Sequence, residues 1–333
     1  MSRVRVTVGA RLHVGFLNLS LAHSRLYGGI GLGLDEPRTV LTAAPADRIE
    51  CDHAAARGYV ERAVDRLGVS GAAVTVESAL PRHAGLGSGT RLALAALRAV
   101  GRAHGLEPDV RELAPDLGRG GRSGVGVATF ESGGFVIDAG HPTEQFTPDR
   151  PADGEWTVPR VTVRREIPEA WRFLVVVPDV DRGRSGEAEE ESIRSVVEGA
   201  DPGTADRIAG VVARRLLPAV AEGSHERFGA AIRSVGRLNG TWYAGEQGGV
   251  YRPPAGEIVA ALHDDPACHG AGQSSWGPCV YAVTHADQVD AARAAGRAAL
   301  DDAGVPGEVL IASGRNDGAD VNPVAGGSVP RNR

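Results

Sequence analysis

The 333-residue chain contains no lysine: all 36 of its Lys and Arg positions are arginine. That absence excludes a Walker A lysine, a Schiff-base lysine and a lysine general base, and it leaves any anion held by a side-chain cation to arginine. Cysteine is scarce too. Cys51, Cys268 and Cys279 are odd in number and far apart, without a CxxC or a Cys/His cluster at zinc spacing, so neither disulfides nor structural zinc is expected. There is no run of 18 apolar residues and no basic-apolar leader after Met1, from which a cytoplasmic protein without a membrane partner is expected. Aromatics make up 5% of the chain and the net charge is −6, with no basic stripe interleaved with aromatic residues, so no nucleic-acid partner is expected.

What the chain has in abundance is glycine, 46 residues, roughly twice the ordinary share. Residues 81–100 (PRHAGLGSGTRLALAALRAV) carry the strongest signal. An apolar-alternating run at 72–80 leads into Gly85, Leu86, Gly87, Ser88, Gly89 and Thr90, and then into an Ala/Leu/Arg segment of helical period that begins near Arg91. A glycine loop opening into a helix leaves N–H groups free at the helix start and lets an anion approach without Cβ obstruction. This reads as a phosphate cradle; the plainer alternative is a tight strand-to-helix turn that binds nothing. Three further glycine-rich stretches are read as loops: 27–34 (YGGIGLGL, with Gly28 and Gly29), 118–127 (GRGGRSGVGV) and 270–278 (GAGQSSWGP).

Together the four loops predict one cleft for a heavily phosphorylated ligand. Arg11, Arg25, Arg91, Arg119, Arg122 and Arg184 are its candidate cations. His13 reads as a donor to phosphate or a general acid, or equally as a satisfied, partly buried histidine. Asp138, at the end of a predicted strand, could hold a magnesium–phosphate complex or simply cap a turn. The carboxylate run 187–191 reads first as a solvated helix face. A Pro-rich stretch at 140–154 predicts a boundary between an N-terminal cradle domain, 1–154, and a C-terminal domain, 155–313, with a disordered tail at 314–333.

With those loops placed, the chain resembles the superfamily of galactokinase, homoserine kinase, mevalonate kinase and phosphomevalonate kinase. Pro81 followed by Gly85-Leu86-Gly87-Ser88-Gly89 has the form of that superfamily's second motif, and Gly270-Ala271-Gly272-Gln273-Ser274-Ser275 the form of its third. The fold implied is α+β, two-domain, with mixed or antiparallel sheets and packed helices. Within the superfamily it is more similar to β-ribofuranosylaminobenzene 5′-phosphate synthases and to the C-ribosylating synthases of formycin- and pyrazofurin-type C-nucleoside pathways. That similarity rests on Arg11-Leu12-His13, Gly28-Gly29-Ile30-Gly31, the full GLGSGT, Gly118-Arg119-Gly120, Arg122-Ser123-Gly124, Gly133-Gly134-Phe135 and Gly272-Gln273-Ser274-Ser275-Trp276-Gly277-Pro278.

The resemblance implies a homodimeric, magnesium-using enzyme. It would join 5-phosphoribosyl 1-pyrophosphate to an aromatic carboxylate with loss of pyrophosphate and CO2, the cradle taking the diphosphate and the Gln273–Trp276 loop the ring. GC-rich composition tilts the expected acceptor toward an aminopyrazole carboxylate. A 4-aminobenzoate or 4-hydroxybenzoate acceptor, an ATP-dependent small-molecule kinase, and a silent ligand-binding protein stand as alternatives.

Overall fold

The computed structural model describes residues 2–146, 151–180 and 187–324. Its elements in chain order are β1 (Val4–Asn18), β2 (Arg25–Pro45), α1 (Ala54–Leu67), β3 (Ala72–Ser78), α2 (Ser88–Ala103), α3 (Val110–Leu113), α4 (Val125–Glu131), β4 (Phe135–Asp138), β5 (His141–Pro142), β6 (Val161–Arg165) and β7 (Trp171–Pro178). There follow α5 (Glu187–Gly199), α6 (Pro202–Val211), α7 (Leu217–Glu222), α8 (His225–Gln247), α9 (Ala255–Asp264), β8 (His269–Gln273), β9 (Val280–His285), α10 (Val289–Asp302), β10 (Gly307–Ser313) and β11 (Asp320–Pro323). Among the described residues no helix is long and apolar enough to cross a membrane.

Two antiparallel sheets carry the architecture. The first runs β11-β1-β2-β4-β6, with β3 and β5 also paired to β2; the second runs β10-β7-β9-β8. A shared apolar core lies against both sheets, joining Leu12, Ile30 and Phe135 of the first to Phe173, Val175 and Val283 of the second and to Ile232 and Val235 of α8. A second core packs α1 and α2 on β1 and β3.

Helix α2 is buried nearly all round, from Leu92 to Ala103. Its many alanines follow from that, because small side chains let neighbouring backbones approach, while Leu94 and Leu97 each contribute on the order of 1.5–3 kcal/mol by burial. Arg91 sits inside this packing, 1% exposed. Its guanidinium donates to the carbonyls of Gly9 (2.8 Å) and Gly126 (2.7 Å) and to Thr129 Oγ1 (2.8 Å), tying α2 to β1 and α4. Burial, followed by Arg11 and Arg315, pulls its pKa down to about 9, still cationic at neutral pH.

Several sequence expectations need correction. The glycine stretch 27–34 is not a loop but the interior of β2, because its alternating Ile30, Leu32 and Leu34 bury into the core while the glycines between them admit crossing chains. The loop expected over 118–127 ends at Gly124, and residues from Val125 onward form α4. Strand β6 lies beyond residue 154 yet joins the first sheet, so the two sheets do not divide at that position. Part of the expected tail is ordered: β11 pairs with β1, Val4 opposite Pro323. Residues 325–333, and Arg184 with the turn around it, lie outside the described residues.

Candidate active site

A cavity of about 600 Å³ opens where the start of α2 faces the 118–124 loop, α1 and the 274–277 loop. Its floor is the cradle. Gly87 precedes α2 with φ +81°, a left-handed conformation that glycine adopts without a Cβ penalty, and no side chain caps the helix. The first-turn N–H groups of Ser88, Gly89 and Thr90 are thus left for a ligand, with the positive end of the helix dipole behind them.

Two guanidiniums flank this floor. A Cβ on Gly87 would stand 2.8 Å from Arg11 Cγ, and one on Gly89 would stand 3.1 Å from Arg119 Nη1. Arg11 donates to the Gly85 carbonyl at 3.0 Å. Arg119 lies 5.1 Å from the Tyr59 ring centroid and donates to its hydroxyl, and Arg62 lies 5.2 Å from the same ring. With Arg82 and Arg122, five arginines line the cavity against two carboxylates, Asp153 and Glu190. Glu190 accepts from Arg122 and Asp153 lies 3.7 Å from Arg62. The surplus of positive charge suits a polyanion.

The cradle and the 274–277 loop are interlocked backbone to backbone. A Cβ on Gly277 would stand 2.1 Å from the Ala84 carbonyl carbon, so only glycine fits there. Ser274 Oγ donates to the Gly85 carbonyl at 2.7 Å and accepts from the His13 N–H at 3.1 Å, and the Ser275 N–H donates to the His13 carbonyl at 3.1 Å. Gln273 braces the same loop, accepting from the Arg252 N–H and donating to the Ser275 carbonyl. Ser274 is therefore a buried staple, Gln273 braces the loop while also lining a smaller adjoining chamber, and Ser275 and Trp276 line the cavity.

His13, Phe16, Ser275 and Trp276 also line a smaller adjoining chamber of about 50 Å³, closed by Tyr243 and Tyr251. Trp276 meets Tyr243 edge-on at 4.6 Å. Burial, then Arg11, holds His13 well below the ordinary imidazole range, and its buried Nε2 has no partner among the described residues. Both influences favour the neutral imidazole, with its Nε2 facing no protein partner among the described residues.

Asp138 is not in the cavity. It is fully buried, and its carboxylate accepts from the N–H groups of Gly124 (2.7 Å) and Gly140 (2.9 Å) and from Ser123 Oγ (3.2 Å). Burial raises its pKa against those hydrogen bonds. With its oxygens taken, it shapes the 118–124 loop instead of acting as a catalytic group or holding metal. Gly29 allows this: a Cβ there would stand 2.0 Å from Ser123 Oγ and 2.7 Å from Asp138 Oδ2. Gly28, Leu86 and Arg91 are likewise structural, and the guanidinium of Arg25 donates to the carbonyls of Ala139 and Gly140 outside the cavity. For magnesium the cavity offers the carboxylates of Glu190 and Asp153, each near an arginine, and hydroxyls such as those of Ser88 and Thr90, a set that fits an ion carried mainly by ligand phosphates.

Sequence reasoning missed Tyr59, Arg62, Arg82, His53, His83 and Asp153. Tyr59 sits beside the inward stripe of α1, where its ring passes for core; His53, Arg62 and Asp153 come from segments that only the tertiary fold brings to the cradle, while Arg82 and His83 stand just before its glycines and were passed over for the glycines themselves.

The antiparallel sheets and glycine-framed helix start are those of the GHMP kinase superfamily fold. Residues 54–134 match the family described as GHMP kinases N terminal domain, and homoserine kinase from Cytophaga hutchinsonii aligns over 97% of this chain and 98% of its own with a TM-score of 0.64. At 17% identity that likeness speaks for fold alone. Sequence similarity goes further: the chain is 32% identical over 329 residues to the β-ribofuranosylphenol 5′-phosphate synthase of Methanothermobacter thermautotrophicus, covering 94% of this chain and 97% of that one. To the synthase of the same name from Archaeoglobus fulgidus it is 30% identical over 335 residues, covering 96% and 99%. The chain belongs to the β-ribofuranosylphenol 5′-phosphate synthase family, and is an enzyme of it.

Proposed function

We propose that this enzyme joins 5-phosphoribosyl 1-pyrophosphate to a benzoate bearing a para hydroxyl group, releasing pyrophosphate and CO2. The observation that carries this is the meeting of two unlike walls at His13: an arginine-flanked, uncapped helix start on one side and the aromatic chamber of Phe16, Tyr243, Tyr251 and Trp276 on the other. The first suits a leaving diphosphate, and the rings of the second that reach the main cavity, Phe16 and Trp276, offer apolar surface to a flat ring held there. The relatives' names favour a phenol-class acceptor over the aminopyrazole carboxylate expected from composition.

The chain's residues then act as follows. The N–H groups of Ser88, Gly89 and Thr90 and the guanidiniums of Arg11 and Arg119 hold the diphosphate and stabilise the charge it gains on leaving. Trp276 and Phe16, which line the main cavity, offer their rings to the acceptor so that its carboxylate-bearing carbon faces the ribose C1, with Tyr243 braced edge-on behind Trp276. The acceptor reacts as its phenolate, for which neutral His13 at the junction of the two walls can donate or accept a hydrogen bond without taking a charge, and the oxygen's electron pair pushes through the ring. The ring carbon bonds to C1 as the C1–O bond to diphosphate breaks. The bond to the carboxylate then breaks as CO2 leaves, its electron pair restores aromaticity, and the oxygen recovers its proton. Magnesium, held by the diphosphate with Glu190 and Ser88, would neutralise part of the leaving charge.

Incubation with labelled phosphoribosyl pyrophosphate and, separately, 4-hydroxybenzoate, 4-aminobenzoate and an aminopyrazole carboxylate tests this. Equimolar release of pyrophosphate and CO2, fastest with 4-hydroxybenzoate, is expected. Fastest turnover of the azole would overturn the acceptor, and phosphorylation of a small alcohol from ATP without pyrophosphate release would overturn the reaction itself.

A further inference from the structure

Away from the cavity, three histidines remote in sequence converge where α8 meets the second sheet. His225 opens α8, His269 opens β8 and His285 closes β9. The His225 ring lies 4.9 Å from that of His269 and 4.9 Å from that of His285. Donor atoms of His225, Glu226 and His269 all fall within 4.8 Å of one another, the one such group among the described residues. Two glycines make the meeting possible. A Cβ on Gly229 would stand 1.7 Å from the His269 carbonyl oxygen, and one on Gly270 would stand 1.9 Å from the Gly229 carbonyl oxygen. The helix backbone therefore lies directly on the strand, and His225, one turn before Gly229, falls over the same contact.

We propose that His225, Glu226 and His269, with His285 beside them, bind a divalent transition-metal ion of the zinc class. Imidazole and carboxylate are that ion's donor set. Two of the rings are held by a side-chain hydrogen bond, as the rings of ligating histidines commonly are: His285 Nδ1 pairs with Asp287 Oδ1 at 2.6 Å and His269 Nε2 with Gln288 Oε1 at 3.2 Å. Zinc–nitrogen bonds of about 2.0–2.1 Å draw the donors closer than they stand here, a movement within reach of half-buried side-chain rotations. The absence of a Cys/His spacing signal in the sequence reflects only that these ligands come from three separate elements.

The ion would clamp the first turn of α8 to the second sheet. Further along the same helix, Asn239 holds both backbone groups of Phe16 and Tyr243 closes the aromatic chamber. The site is thus structural, and lies outside the catalytic machinery.

Untagged full-length protein, stripped by chelator, is titrated with Zn2+ by calorimetry and with Co2+ by visible absorption, beside the double variant His225→Ala/His269→Ala. One equivalent of Zn2+ that raises the wild-type melting temperature, and no such response in the double variant, is the expected result. No stoichiometric binding by wild type, or equal binding by the double variant, overturns the proposal. Should the double variant fail to fold, Asp287→Asn and Gln288→Ala serve instead: each is expected to weaken Zn2+ binding by about tenfold, and unchanged affinity in both overturns it.

Discussion

Two glycine-rich stretches of similar composition do opposite work. Residues 85–90 open a helix into a cavity, whereas residues 27–34 run buried through the middle of β2. In the first, missing Cβ atoms make room for a ligand and for the guanidiniums beside it; in the second, they make room for the protein itself, Ser123 and Asp138 crossing at Gly29 and the Leu12 carbonyl at Gly31. The difference was written in the neighbours. Hydroxyls and a following helix mark the cradle, while Ile30, Leu32 and Leu34 at every second position mark a strand. Glycine density alone does not separate them.

If the comparison is right, changes at the cradle should cost rate and changes in β2 should cost stability. The largest effect is expected from Arg119→Ala, which removes a donor to the leaving diphosphate. kcat/KM should fall by about 100-fold or more, with the urea midpoint close to wild type. An equal loss of stability and rate would place Arg119 with the structural arginines, as Arg91 is. Gly29→Ala should do the reverse. Its new methyl meets Ser123 Oγ and Asp138 Oδ2, and overpacking of this kind costs about 1–3 kcal/mol, readable by denaturant titration. Full stability in that variant would break the packing account of β2.

Much of the site was legible because the second and third motifs are local. The cradle, Arg11, His13, Arg119, Arg122, Ser123 and Trp276 were read from short stretches, and the structure brings them to one place. Other groups were misread for reasons of context. Arg91 and Asp138 have the right chemistry, but burial and saturated hydrogen bonds take them out of reach. In the fold, β11 was missed because its pairing with β1 joins the two ends of the chain, information no local pattern carries.

A smaller effect sharpens the cradle side. Ser88→Ala and Arg122→Ala are each expected to lower kcat/KM by roughly tenfold, less than Arg119, since Ser88 leaves its backbone N–H in place and Arg122 is shared with Glu190. Steady-state kinetics with varied phosphoribosyl pyrophosphate would show it. Rates unchanged in both would move the diphosphate to another wall of the cavity.

An effect of comparable size falls on the β2 side and is read through pH. His141 of β5 pairs with Leu26 of β2 and stacks on Phe146 at 3.7 Å, and burial, the largest influence, pulls its pKa to about 4 from an ordinary 6.5. Between those values the unfolded chain holds a proton that the folded chain refuses, so stability must fall as the pH drops from 6.5 toward 4 and level off above 6.5. For this one group the loss between pH 7 and pH 5 is about 1–2 kcal/mol. His141→Phe keeps the stacked ring and removes the titration, so its urea midpoint should change less over that interval than wild type's, while kcat at pH 7 stays the same. An unaltered slope would mean that His141 titrates in the folded protein much as it does in the unfolded chain, and that the strand side of the comparison is wetter than its burial implies.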